Sequence, residues 1–292
     1  MKETSAILDH VKLIESKNEK KIFQVRNIDF IYLINLDIRT DRLKRCMDQF
    51  APFAIYPHRV PGINGWAYTQ EVFDAIAMKL LPSMQYDKPV HFKFVPGGAR
   101  GTMIDASCYG KPCVHSESPA GGLGGAMAHL SILYDAQISD YQIVWILEDD
   151  ITVKGNPHFL ANYIDRLDQC VGRDNWDVLY TDDDCYFTAE NVHSHLGKGP
   201  WIRPGMLKTE ALIERKAVGD DFFKIGGRTQ AHSVIYSRSG ITKIVDYLTK
   251  NHFFLPYDTE LPCIDGLNMF NLKYDVVHGR DRSYSDTYVK RI

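Results

Sequence analysis

Apolar residues along this chain fall into short continuous runs bounded by turn residues. Between the runs lie stretches where they recur every three or four positions, the pattern of strands buried on both faces alternating with amphipathic helices. Residues 28–36, I-D-F-I-Y-L-I-N-L, form the first run and predict a central strand. An arginine-rich helix is expected next, with Leu43, Met47 and Phe50 on its apolar face and Asp37 or Thr40 as its cap. A short strand at 56–60, closed by the turn cluster P-G-I-N-G-W, and a helix around 72–81 follow. The glycine-rich stretch 121–125 gives way to a helix striped by Met127, Leu130, Leu133 and Tyr134. Beyond it the pattern predicts a strand from Ile143, a helix over 157–170, strands at 176–180 and 231–237, a helix capped by Ser237 or Ser239, and a last strand at 274–278. Such alternation predicts an α/β fold with a mixed, mostly parallel sheet flanked by helices.

Residues 1–27 predict an N-terminal helix, with Ile7, Val11 and Ile14 on its apolar side, and a charged linker; residues 28–292 are expected to form a single domain. Residues 67–119 are punctuated by proline and glycine and are longer than an ordinary connection. They are expected to be an insertion that serves as a lid or acceptor-binding loop.

Composition narrows the function classes. A net charge of −3 carries no footprint for nucleic acid or anionic lipid, so no nucleic-acid partner and at most peripheral membrane contact are expected. No apolar run reaches the length of a membrane span, and the first residues lack a signal peptide's apolar core. A cytoplasmic location is expected, with any membrane contact at the inner face. The six cysteines are scattered through a chain too large to need staples, which predicts reduced thiols. Cys108, Cys113 and His115 are zinc-ligand types, but they lack the second close pair of a structural site.

Candidate chemistry concentrates at the end of the run I-V-W-I-L-E-D-D-I-T-V, residues 143–153. Ligands of open α/β sheets bind at the carboxyl ends of strands. Three adjacent acids there repel one another unless a cation sits among them. Strand pleating would turn Glu148 and Asp150 to one face and Asp149 to the other. A solvated turn is the competing reading of the same triplet. A second strand, W-D-V-L-Y, also ends on acids, Asp182, Asp183 and Asp184, which strengthens the expectation of a metal or acid/base site. The strand at 28–36 running into a helix with Arg39 and Arg42 near its start suits an anion such as a nucleotide's phosphates, or else is an exposed basic face.

Six stretches together resemble glycosyltransferase family 25, which includes lipopolysaccharide-modifying and procollagen galactosyltransferases. They are I-Y-L-I-N-L-D-I-R-T-D-R-L from Ile31, G-L-G-G-A-M-A-H-L-S-I-L from Gly122, W-I-L-E-D-D-I from Trp145, W-D-V-L-Y from Trp176, A-H-S-V-I-Y-S from Ala231 and L-P-Y-D-T-E-L from Leu255. The resemblance implies a GT-A-like fold, a UDP-sugar donor, commonly UDP-galactose, and Mn²⁺ or Mg²⁺ held by the acidic motif. It further implies inversion at the anomeric carbon and a glycan, lipid-linked glycan or protein acceptor.

On this reading Glu148 and Asp150 hold the metal, with His278 as a further ligand. Asn35, Arg39 and Arg42 meet the nucleotide, with Asp149 beside them, and Gly125 and His129 line the donor cleft. Inversion by single displacement needs a carboxylate to take the acceptor's proton. Asp258 matches the family's P-x-D position, with Asp182 and Asp265 as reserves. The chain departs from the family at Ala128, where serine usually precedes the helical histidine, and no family pattern matches residues 67–119. An inactive glycan-binding scaffold and a metal-dependent nucleotidyl transferase are the alternative readings.

Overall fold

The computed structural model describes residues 5–14, 24–84, 92–93, 108–115, 118–183, 187–188, 203 and 209–280. Its first half contains β1 (Phe30–Asn35), α1 (Thr40–Phe50), β2 (His58–Pro61), α2 (Gln70–Ile76), β3 (Met78–Lys79), β4 (Phe92–Lys93), β5 (Pro112–His115), α3 (Ala120–Ile138), β6 (Ile143–Glu148) and β7 (Ile151–Val153). Then come α4 (Leu160–Val171), β8 (Val178–Tyr180), α5 (Thr209–Leu212), β9 (Arg215–Val218), β10 (Phe222–Ile225), β11 (Ser233–Ser237), α6 (Arg238–Asn251), α7 (Tyr257–Glu260), β12 (Met269–Leu272) and β13 (Val277–Gly279).

Eight strands make the main sheet in the order β2-β1-β6-β11-β8-β12-β10-β9. The pairs β2–β1, β1–β6 and β8–β12 are parallel, and β11 and β10 run against their neighbours. The sheet is therefore mixed, with six strands sharing one direction, as the alternating pattern predicts.

Strand pleating divides the core into two halves. Val144 and Ile146 of β6, with Tyr32, Val234 and Tyr236 from its neighbours, face a layer that includes Met127, Leu130 and Leu133 of α3 and Ile241, Ile244 and Leu248 of α6. Ile143, Trp145 and Leu147, with Leu33 and Ile235, face Cys46 and Phe50 of α1 and Leu160, Ile164 and Leu167 of α4. Burial on both faces is why β6 reads as an unbroken apolar run. Each large apolar side chain so buried contributes about 1.5–3 kcal/mol relative to exposure.

Several expected elements change. The N-terminal helix is a single 3-10 turn, Ala6–His10, because Val11 turns extended and the Lys12 amide donates to Ser131 Oγ at 2.9 Å, laying the segment against α3. The helix expected over 72–81 ends at Ile76: Met78 and Lys79 pair with β5, and the Met78 amide donates to the Phe253 carbonyl. Neither expected cap of α1 is used, since its N-cap is Arg39 with no side-chain bond. Ser237 does cap α6, accepting from the Gly240 amide at 3.3 Å. Strands β9, β10 and β12 were not expected; β9 is mostly exposed and lacks an apolar pattern. Of the 67–119 insertion, β3, β4 and β5 form a small antiparallel sheet, while 85–91, 94–107 and 116–117 lie outside the described residues. No described helix is long and apolar enough to cross a membrane.

Since β1, β6 and β8 run in one direction and β11 against them, the ends of the first three and the start of the fourth share one edge. Asn35, Glu148, Thr181 and Ser233 therefore cluster there, and a two-stranded ribbon of β7 with β13 folds across it.

Candidate active site

A cavity of about 260 Å³ opens at this edge. Its floor is the acidic triplet. The chain leaves β6 at Glu148, turns through Asp149 and Asp150, and re-enters extended structure at Ile151, so the triplet is a turn in which Asp149 is buried and Glu148 and Asp150 are half-buried. All three acids line the cavity, each with different neighbours.

Asp149 is turned toward α1. Its Oδ1 accepts from Arg42 at 3.1 Å and its Oδ2 from the Asn35 amide at 2.7 Å, while its carbonyl accepts from Arg45 at 2.9 Å. Burial raises its carboxyl above the ordinary value despite these partners. Asn35 is fixed in turn, donating to the Arg39 carbonyl and accepting from Arg59 Nε at 3.0 Å.

Glu148 lies 2.9 Å from His129 Nε2. Burial works to raise its carboxyl, but His129, aided by His232 and Arg42, outweighs that and lowers it. Asp150 has the opposite balance: burial, then the charges of Glu148 and Asp149, push it up to about 6. The strand-end acids are thus a neutralised one, Asp149, and a pair at the cavity wall, Glu148 and Asp150.

The glycine-rich start of α3 forms a second wall. Gly124 is where backbones meet: a Cβ there would sit 2.2 Å from the Ile63 carbonyl and 2.4 Å from the Gly65 amide. This contact seats the 62–66 turn, whose Asn64 and Trp66 face the cavity. Gly125, in contrast, faces open space. His129 is buried and stacks on Tyr257 at 4.4 Å between ring centroids, and the Tyr257 hydroxyl donates to Tyr236 at 3.0 Å. Ala128, where the resemblance expects serine, also lines the cavity.

The third wall joins residues 229–232 to α7. Asp258 faces the cavity and accepts from the Gln230 amide at 2.5 Å and the Thr259 amide at 2.9 Å. The Glu148 amide donates to the His232 carbonyl at 2.8 Å. Residues 230–232 thereby tie Asp258 to the acidic turn.

Of the residues expected at a site, Glu148, Asp149, Asp150, Arg42, Gly125, His129 and Asp258 line this one cavity. The others do not. Asn35 is held behind the wall, and Arg39 pairs with Asp41, Nε to Oδ1 at 3.3 Å. His278 is drawn to Asp182, Nδ1 to Oδ2 at 3.5 Å, rather than to Glu148 and Asp150. Asp265 lies on an exposed turn after α7.

Asp182 is wholly buried, 2.7 Å from Arg228 and 2.8 Å from His232 Nε2. Burial alone would raise its carboxyl, but the Arg228 guanidinium and the two histidines hold it well below the ordinary range. A carboxylate so paired is a structural anchor and a poor base. Asp183 pairs with Arg215, and Asp184 lies outside the described residues. Glu260, two residues after Asp258, is buried against Arg203 and accepts the Phe254 and Leu255 amides.

Among the described residues no group of three or more His, Cys, Asp or Glu side chains is placed to hold a metal ion; this includes Cys108, Cys113 and His115. The donor set at the acidic turn nevertheless fits a hard divalent cation in part. Mg²⁺-type ions are often bound by one or two carboxylates, with phosphate and water completing the shell. Glu148 and Asp150 are oxygen donors whose mutual repulsion such an ion would relieve.

Residues that the sequence reading missed are Arg59, Trp66, Gln230, Tyr257 and Arg228. Only Trp66 carried a signal, since it ends a turn cluster whose two glycines permit close backbone approach.

No family model matches the chain. It is similar to a protein described as "Glycosyltransferase 25 family member" from Drosophila melanogaster, 25% identical over 174 residues, covering 60% of this chain and 24% of that protein. A protein of the same description from Drosophila pseudoobscura pseudoobscura is 23% identical over 168 residues, covering 58% and 22%. The chain thus spans about a quarter of the length of the curated relatives it matches. The resemblance to glycosyltransferase family 25 carried by the six ordered motifs is supported by these relatives.

Proposed function

We propose that this chain is an inverting glycosyltransferase that moves a sugar, galactose from UDP-galactose in the first instance, to a hydroxyl of a glycan, a lipopolysaccharide-type glycolipid or a protein. One observation carries the reading: two carboxylates of the acidic turn, Glu148 and Asp150, and a third from a separate element, Asp258, line the same cavity. Single displacement needs this separation of roles, because the leaving group departs on one face of the sugar while the acceptor's proton is removed on the other.

Glu148 and Asp150 would hold Mn²⁺ or Mg²⁺ together with the donor's diphosphate. When bound, that ion supplies positive charge to the leaving diphosphate. His129 fixes one oxygen of Glu148 and leaves the other for the site. Asp149 is neutralised by Arg42 and keeps the turn in shape. The acceptor oxygen attacks the anomeric carbon as its proton passes to Asp258 Oδ, and the bond from that carbon to the diphosphate oxygen breaks, releasing UDP. Amides 230 and 259 orient the Asp258 carboxylate for this step. On the α3 side the 62–66 turn packs backbone to backbone on Gly124.

UDP release from UDP-galactose in the presence of Mn²⁺ tests the reading. Slow release is expected without acceptor, faster release with one, and loss of both with EDTA or in Asp150→Ala. A correctly folded protein that releases UDP from no UDP-sugar would overturn it.

A further inference from the structure

Gln230 is a residue with a Cβ in a conformation such residues avoid, φ 68°, and it sits on the cavity wall. Its backbone amide donates to Asp258 Oδ2 at 2.5 Å, and its side chain lies beside Gly279, where an added Cβ would be 2.9 Å from Gln230 Oε1. A turn that merely needed the left-handed region would be served better by glycine or asparagine. Backbone strain of this kind persists where the surrounding structure imposes it, and it clusters at active sites and ligand clamps.

The position of Gln230 says what it would meet. Residues 230–232 run from Asp258, bonded to the Gln230 amide, to Glu148, whose amide donates to the His232 carbonyl. In the proposed reaction Asp258 takes the acceptor's proton and Glu148 lies at the diphosphate, so the sugar being transferred must lie between them. A carboxamide both donates and accepts hydrogen bonds, which suits the paired roles of sugar hydroxyls. We propose that Gln230 is a specificity-determining residue that binds hydroxyls of the transferred sugar, its backbone fixed by Asp258 and its side chain beside Gly279. This inference rests on the glycosyltransferase reading.

The test compares binding of UDP with binding of a UDP-sugar, both with Mn²⁺, by calorimetry. The sugar nucleotide used is whichever of UDP-galactose, UDP-glucose and UDP-N-acetylglucosamine stabilises the wild type most. Gln230→Gly relieves the backbone strain and removes the carboxamide. It is expected to melt at or above the wild-type temperature, to bind the UDP-sugar about tenfold more weakly, and to bind UDP within twofold of wild type. Affinities for both that are unchanged, or that fall together, would overturn the proposal. Should Gln230→Gly fail to fold, Gln230→Asn tolerates the same φ with a shorter amide; an unchanged ratio of the two affinities would be equally fatal. A wild type that binds neither UDP nor any of the sugars refutes the glycosyltransferase reading itself, and does so before any substitution is made.

Discussion

Adjacent glycines in α3 should respond to alanine in opposite directions. At Gly124 the new Cβ would lie 2.2 Å from the Ile63 carbonyl oxygen, 2.4 Å from the Gly65 amide nitrogen and 3.0 Å from the Gly65 Cα. All three are backbone atoms, so no side chain can rotate aside. Restoring a separation of about 3.5 Å requires the 62–66 turn or the helix to withdraw by roughly 1 Å. Overpacking of this kind costs about 1–3 kcal/mol, and a backbone-to-backbone clash belongs at the upper end. Alanine returns about 1 kcal/mol of helix propensity, which leaves Gly124→Ala destabilised by about 2 kcal/mol. At Gly125 no heavy atom lies within 4 Å of the added Cβ, so only the propensity gain of up to about 1 kcal/mol applies.

For a chain of this size each kcal/mol shifts the melting temperature by roughly 2–4 °C. Gly124→Ala should therefore melt about 4–8 °C below wild type and Gly125→Ala up to about 4 °C above it, read by thermal unfolding without ligand. The turn displaced at Gly124 carries Asn64 and Trp66 on the cavity wall, so UDP with Mn²⁺ should stabilise that variant less than wild type. Equal melting temperatures for the two variants would refute the close packing of the 62–66 turn on α3.

Three further outcomes follow from the buried charges. Asp182→Asn removes the charge opposite the fully buried Arg228 and should cost about 3–5 kcal/mol in urea unfolding. The Asp182 carboxyl is held below its unfolded value, so its contribution is present above about pH 4 and lost as pH falls toward the folded value; the gap between variant and wild type should narrow below about pH 4. Glu260→Gln should lose a similar 3–5 kcal/mol through its buried partner Arg203, and chemical denaturation reads it. Asp150→Asn should abolish Mn²⁺-dependent UDP release and yet raise the ligand-free melting temperature, because it removes a negative charge from beside Glu148 and Asp149; a lower melting temperature would contradict the electrostatic account of the turn.

Strands β1 and β6 were legible because both of their faces are buried, which leaves a continuous apolar run in the sequence. Strand β9 was not, since R-K-A-V is mostly exposed and owes its pairing to β10 rather than to its own pattern. Strand β12 is buried, but only four residues long and preceded by turn residues, so it read as part of a loop. The helix expected to reach residue 81 stops at Ile76, where pairing with β5 and a backbone bond to Phe253 override helical spacing. Local periodicity carries no information about such distant partners.

The same limit explains the acids. Asp150 and Asp182 look alike in sequence, each following an apolar strand with acidic neighbours. What separates them is Arg228, 46 residues beyond Asp182 in the chain and directly against it in space. A carboxylate that finds a buried guanidinium becomes structural, and one whose acidic neighbours outweigh the nearby cations keeps a demand for positive charge. The triplet repeats this contrast within itself. Asp149 has Arg42, brought by α1, and Glu148 has His129, brought by α3, while burial and two acidic neighbours push Asp150 upward. At Asp150 the charges of Glu148 and Asp149, with burial, outweigh those of His232 and Arg42, so among the described residues the turn is short of positive charge at the wall shared by Glu148 and Asp150. A diphosphate arriving alone would worsen this imbalance, whereas a diphosphate arriving with a divalent cation would correct it. On the proposed glycosyltransferase reading, that asymmetry is the physical reason for donor and metal to bind together, each weakening in the absence of the other.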